Sequence, residues 1–184
     1  TQGGWKSYLG HALRGKKIGV LGVGSVGKEA ALISKALGLE VKAFDKFMDK
    51  EYANVNGITV VKSVKELVTD IDILSLHLPF TPETKGIINL ELLTSVSVRD
   101  LLVVNTARAG LIEFETIKKG LEEGILMGYC TDVMEVEPMD PNHPLKDLDK
   151  VLITPHIGSR TYQSVQRQGI MALKNIINFF KKDE

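Results

Sequence analysis

Cysteine is almost absent: Cys130 is the only one among 184 residues. A single thiol excludes an internal disulfide and a thiolate metal cluster, and it fits a reducing compartment, so a cytoplasmic location is expected. Net charge is absent as well, because 23 Lys and Arg balance 23 Asp and Glu. Nucleic acid and anionic membranes call for a basic footprint, so neither is expected as a partner. No apolar run is long enough to span a bilayer, and no leader pattern is read at the start. The four histidines (His11, His77, His143, His156) lack metal-ligand spacing, so no metal is expected. Repeats and low-complexity tracts are missing too. The first residue is Thr1 instead of methionine, which suggests a processed product or a piece of a longer protein.

What is present is 43% hydrophobic content, enough for one well-buried domain, and one informative stretch. Lys17 to Gly27 reads as an apolar strand entering a glycine-rich turn, Gly22-Val23-Gly24-Ser25-Val26-Gly27, that opens a helix. A second strand follows and closes on Asp45. This is the context that a dinucleotide fingerprint requires. Gly22 allows the tight turn, Gly24 lets backbone approach a pyrophosphate, and Gly27 lets helix and strand pack closely. The helix start near Ser25 and Val26 offers unpaired N–H groups and a positive dipole end to phosphates. Asp45 is placed to accept hydrogen bonds from ribose hydroxyls. Its charge opposes a 2′-phosphate, which favours NAD over NADP, with the neighbouring Lys46 as the one counter-indication.

Alternation then continues along the chain. Expected strands are Lys17–Leu21, Glu40–Phe44, Thr59–Val61, Ile71–Ser75, Leu101–Asn105, Leu126–Thr131 and Val151–Ile153. Expected helices are Val26–Leu37, Val64–Val68, Leu90–Ser95, Phe114–Glu123 and a long last one over Thr161–Lys182. Short, apolar, unalternating strands between helices predict a doubly wound α/β domain with a parallel sheet. The expected division is an arm over residues 1–16, a Rossmann-type domain over 17–180 and a tail over 181–184. Ligands of such sheets bind beyond the carboxyl ends of the strands.

Three predicted strand ends deliver candidate chemistry. Arg108 follows the fifth, Asp132 and Glu137 the sixth, and His156 the seventh. Arginine is a planar, permanently charged fork for a carboxylate. Histidine exchanges a proton near neutral pH, and an adjacent glutamate orients its ring. Together they form a sensible set for hydride transfer beside a nicotinamide. His77 is expected to be structural, and His11 and His143 to be surface residues.

At these residues the chain resembles the NAD-binding domain of D-isomer-specific 2-hydroxyacid dehydrogenases. The resemblance runs from about Trp5 to about Phe180 and rests on the glycine motif, His77-Leu78-Pro79 with Thr84-Lys85-Gly86, Asn105-Thr106-Ala107-Arg108, Asp132 through Glu137-Pro138, and Pro155-His156-Ile157-Gly158. It implies that His156 is the general acid and base, that Glu137 supports it, and that Arg108 binds the substrate carboxylate and polarises the carbonyl. It further implies that Leu78, Thr106 and Ala107 line the cofactor groove, where Leu78 and Pro79 are also expected from their place after a strand to wall the adenine side, and that Asp132 takes the nicotinamide carboxamide with Gly158 and Ser159 close by. One departure is Ala109, where the family usually has glycine. The family also has a substrate domain built from flanking residues that this chain does not contain. It tends to form homodimers through the nucleotide domain, which makes Trp5, Tyr8 and Leu9 expected interface residues. A small 2-hydroxy or 2-keto acid is the implied substrate. The alternative is an NAD-sensing, corepressor-like binding protein of the same fold. An unrelated Rossmann dehydrogenase is expected to carry arginine and histidine in a different chain order.

Overall fold

The computed structural model describes residue 7 and residues 9–181. Its centre is a seven-stranded, fully parallel sheet formed by β1 (Lys17–Leu21), β2 (Glu40–Phe44), β3 (Thr59–Val60), β4 (Ile73–Leu76), β5 (Leu101–Asn105), β6 (Leu126–Thr131) and β7 (Val151–Ile153). The spatial order is β3-β2-β1-β4-β5-β6-β7. Strand order reverses between β1 and β4, and that switch point is where a doubly wound sheet opens a ligand crevice.

The central strands are covered on both faces, as parallel strands usually are. Val20, Leu74, Leu76 and Val103 are fully buried. Helices α1 (Ser25–Ala36) and α2 (Lys50–Val55) lie on one face, where Ala31 and Ala53 join Ile18, Val20 and Val41 in a small core. Helices α3 (Val64–Val68), α4 (Leu90–Ser95) and α5 (Phe114–Glu122) cover the other face. There Leu67, Leu93 and Ile117 pack with Leu21, Leu74 and Tyr129 in the larger core.

Five of the seven strands begin and end where the sequence places them, and β3 stops one residue short, at Val60. β4 instead runs from Ile73 to Leu76, and the Asp72 carboxylate just before it accepts from the Lys17 N–H and pairs with Lys16. α2 was not anticipated, and neither were two 3-10 turns, Ala109–Leu111 and Pro144–Asp147. The last helix, α6 (Tyr162–Phe180), carries the expected apolar side, yet none of its residues is buried. Of the expected interface residues, Leu9 is fully exposed, whereas Trp5 and Tyr8 lie outside the described residues, as does Lys182. No helix among the described residues is long and apolar enough to cross a membrane.

Candidate active site and cofactor cleft

The glycine turn sits at the carboxyl end of β1, beside the end of β4. Gly22 has φ +92, and a Cβ there would lie 2.8 Å from the His77 carbonyl. A Cβ on Gly27 would lie 2.0 Å from the Gly22 carbonyl oxygen, so the first turn of α1 closes onto β1 only because Gly27 has none. Gly24 differs from both. Its φ is −70, and a Cβ there would meet nothing within 4 Å. Neither its own conformation nor its protein neighbours call for glycine at that position, so the open space above it fits a group approaching from outside.

No side chain caps α1, whose first residues are Ser25, Val26 and Gly27. The leading N–H groups of a helix have no partner within it, so this end offers donors and a positive dipole to a diphosphate. Asp45 follows β2, and its position fits the expected ribose contact. The carboxylate has a further task. Its Oδ2 accepts from the Val23 N–H at 2.7 Å and its Oδ1 from the Phe47 N–H at 2.8 Å. It thereby ties the glycine turn to the end of β2, and each oxygen keeps a lone pair for a ribose hydroxyl.

The second cluster lies at the ends of β6 and β7. His156 Nδ1 is 2.7 Å from Glu137 Oε2, and Glu137 Oε1 accepts from the Met134 N–H at 3.0 Å. The Met134 N–H and then His156 hold the Glu137 carboxyl below its ordinary range, so it is ionised at neutral pH. An ionised carboxylate can only accept, so the ring proton shared with it sits on Nδ1 and Nε2 takes no part in the pair. Both side chains are about half exposed, at 48% and 39%, so the outer side of the pair is reachable. His156 itself has φ 51, a left-handed conformation uncommon outside glycine.

Asp132 holds that conformation. It is buried, and its oxygens accept from Thr154 Oγ1 at 2.6 Å and from the Ile157 and Gly158 N–H groups at 2.9 and 2.8 Å. Burial pushes the Asp132 carboxyl up. The Thr154 hydroxyl, the two N–H groups and the nearby His156 outweigh that push, and the net shift is downward. A depressed folded value gives stability that is present above the ordinary aspartate range and is lost as pH falls through the folded value. Asp132→Asn is therefore expected to flatten the acid limb of the stability curve below pH 3.8, the ordinary aspartate value. It should also cost about 1–3 kcal/mol at neutral pH, because an amide nitrogen would face N–H donors in a buried site. Chemical denaturation across pH measures both effects. The carboxamide role expected of Asp132 uses the lone pair that this clamp leaves on Oδ2.

Arg108 follows β5, two strands from β7. Fully buried Asn105 folds its loop, donating from Nδ2 to the Arg108 carbonyl at 2.9 Å and accepting from the Ala107 N–H at 3.1 Å. The Arg108 guanidinium is exposed and donates to the Ala107 carbonyl at 2.6 Å. The three predicted residues thus share one rim of the sheet, but only His156 and Glu137 touch each other. Those two line an open pocket of about 790 Å³ together with Asp132, Ser159 and Arg160; the Arg108 side chain lies outside that lining. Thr106 is exposed and Ala107 half-buried beside it. Leu78 packs against the larger core next to Gly22, and Pro79 is exposed. Thr84 Oγ1 donates to the Pro79 carbonyl at 2.7 Å, and the Gly86 N–H donates to the Gly110 carbonyl at 2.8 Å, so the Thr84-Lys85-Gly86 motif braces this wall.

The departure at Ala109 is harmless, because its methyl group is buried. The glycine this loop needs is Gly110, where a Cβ would fall 2.4 Å from the Phe80 ring. Two supporting residues escaped the sequence reading: Thr154, and Tyr129, whose buried hydroxyl meets Asn105 Nδ2 at 3.2 Å. Their only signal was a polar group inside or just after an apolar strand. His77 is structural as expected, with Nε2 2.8 Å from Ser75 Oγ, and burial lowers its pKa. His143 is more than a surface residue. It caps a 3-10 turn by accepting from the Leu145 N–H and sets its ring edge-on to Phe114. Among the described residues no cluster could hold a metal ion.

Comparison with known proteins agrees with this geometry. Residues 1–158 match the family model described as D-isomer specific 2-hydroxyacid dehydrogenase, NAD binding domain. The chain is 35% identical to a glyoxylate reductase of Aeropyrum pernix over 178 residues, covering 96% of this chain and 52% of that protein. It is 34% identical to a D-3-phosphoglycerate dehydrogenase of Methanocaldococcus jannaschii over 177 residues, covering 95% of this chain and 33% of that one. The crystal structure of a glyoxylate reductase from Paecilomyes thermophila superposes with a TM-score of 0.86 at 30% identity, covering 97% of this chain and 53% of that one. The chain thus spans between a third and about half of these relatives. It belongs to the D-isomer-specific 2-hydroxyacid dehydrogenase family, of which it is the NAD-binding domain.

Proposed function

We propose that this chain is the cofactor-holding half of an NAD-dependent enzyme that moves a hydride between NAD(H) and a D-2-hydroxy or 2-keto acid. The observation that carries the reading is the His156–Glu137 pair, 2.7 Å apart at strand ends on the same rim of the sheet as the glycine turn. Bound NAD(H) supplies or accepts the hydride. Gly24 and the free end of α1 hold the diphosphate, and Asp45 holds the ribose. Leu78, Pro79, Thr106 and Ala107 wall the groove, and Asp132 with Gly158 and Ser159 orients the nicotinamide. Arg108 takes the substrate carboxylate and draws charge toward the carbonyl oxygen. His156 Nε2 gives that oxygen its proton during reduction and removes it during oxidation. Glu137 fixes the ring and balances the imidazolium charge.

The full-length protein is expected to oxidise NADH in the presence of glyoxylate, hydroxypyruvate or pyruvate, and to use NADPH less well because Asp45 opposes the extra phosphate. The 184-residue chain alone is expected to bind NADH and turn over poorly, since half of the substrate cleft and its water-excluding closure lie elsewhere. Absorbance assays with both proteins and calorimetry with NADH check this. Brisk turnover by the short chain, or no heat with NADH, contradicts it. We further propose a cytoplasmic homodimer in which exposed Leu9 lies at the subunit contact; sedimentation of the wild type against Leu9→Asp tests that contact.

A further inference from the structure

We infer that Arg160 is a specificity residue that receives a second anionic group, a carboxylate or a phosphate, at the far end of the 2-keto acid. The inference rests on the dehydrogenase reading above and extends it to substrate charge. Arg160 and His156 line the same open pocket. The chain between them is held at both ends: the Arg160 N–H donates to the Ile157 carbonyl at 2.9 Å, and Thr161 caps α6 through the Ser164 N–H at 3.1 Å. The remaining walls are largely apolar, formed by Met134, Pro138, Met139 and Ile153.

Two acids share the pocket, and both are committed elsewhere. Asp132 accepts from Thr154, Ile157 and Gly158. Glu137 accepts from Met134 and pairs with His156. Arg160 takes part in none of the ion pairs found among the described residues, which are Lys16–Asp72, Lys17–Asp70, Lys28–Asp49, His143–Glu135 and His156–Glu137. A guanidinium is always charged and prefers planar, two-pronged oxygen acceptors. Arg108 and Arg160 follow β5 and β7, which lie two places apart on the same rim of the sheet. The other side of Arg160 borders the first turn of α6, at Thr161, Tyr162 and Gln163. That turn carries no acidic residue, so it offers Arg160 no competing partner.

The test compares kcat/KM for pyruvate, 2-oxoglutarate and 3-phosphohydroxypyruvate in the full-length protein, with NADH as reductant. The variants are Arg160→Gln, Arg160→Lys and, as a control for overall charge, Arg167→Gln on the exposed surface of α6. Losing a charge-assisted pair is expected to lower the ratio of doubly to singly charged substrate by about 30-fold in Arg160→Gln, mainly through KM, with partial recovery in Arg160→Lys. Arg167→Gln is expected to leave that ratio at the wild-type value, and an unchanged NADH dissociation constant in Arg160→Gln shows that the domain is folded. Whichever of 2-oxoglutarate and 3-phosphohydroxypyruvate loses more identifies the anion as carboxylate or phosphate. A ratio that stays within threefold, an equal shift in Arg167→Gln, or a wild type that reduces pyruvate alone would overturn the role of Arg160 and leave the dehydrogenase reading standing. A wild type that reduces none of the three but does reduce glyoxylate or hydroxypyruvate overturns the role of Arg160 alone, and one that reduces none of the five overturns both.

Discussion

Gly24→Ala should fold with nearly the wild-type melting temperature and bind NADH about 10–100-fold more weakly, the loss expected from one charge-assisted hydrogen bond to a phosphate. The two halves of that expectation have separate causes. Folding is spared because the added methyl group meets no protein atom within 4 Å and the backbone already sits at φ −70. Alanine is a poorer cap than glycine by about half a kcal/mol or more, and the stiffer unfolded chain returns about 0.4–1 kcal/mol. Binding suffers because the methyl group occupies the space that a diphosphate needs above the end of α1. Gly27→Ala is the counter-case. Its methyl group would stand 2.0 Å from the Gly22 carbonyl oxygen, so α1 must lift from β1. Overpacking costs about 1–3 kcal/mol when flexible side chains can yield, and here the obstacle is backbone. Stability and affinity should therefore fall together. Thermal melts and NADH titrations on both variants separate the cases. A Gly24→Ala protein that binds like the wild type removes the diphosphate from this turn.

His156→Asn should lower kcat in the full-length protein by about 10²–10⁴-fold, the range for a lost general acid–base group, while NADH affinity stays close to normal. Asparagine is the right probe because His156 sits at φ 51, a region that asparagine tolerates better than most residues. It keeps the turn in place and removes only the titratable ring. Alanine at the same position confounds the loss of the proton donor with a change of backbone. The pH profile supplies the second readout. An acid–base limb present in the wild type should vanish in the variant, leaving a flat residual rate. A variant that keeps the limb places the proton on another group.

Much of this was legible before any coordinates. β1 and its glycine turn were readable because a short apolar run, three spaced glycines and a later acid each answer a separate physical demand. β5 was readable because a strand with no exposed residue reads as an unbroken apolar run, Leu101 to Val104. α2 escaped because six residues with a single buried position, Ala53, give no period to count. Its cap, Asp49 accepting from the Tyr52 N–H, was the one local cue. The site was legible in residue type and chain order but not in direction. That Asp132 spends three of its acceptor positions on the His156 loop depends on where β7 ends relative to β6. That Arg108 hydrogen-bonds to its own loop carbonyl depends on Asn105 and Tyr129 beneath it. Neither arrangement leaves a trace in spacing.

The last helix has a thermodynamic consequence. With nothing buried along α6, its order rests on backbone hydrogen bonds, the Thr161 cap and its own neighbours, and a helix of 19 residues is only marginally stable on such terms. Its amide protons should therefore exchange with solvent through local opening, far faster than those of β1, β4 and β5, which exchange only when the sheet itself comes apart. Slow exchange along α6 in the full-length protein would mean that something there covers its apolar stripe. Because the helix begins six residues after His156, that cover would also stiffen the turn that holds the proton donor.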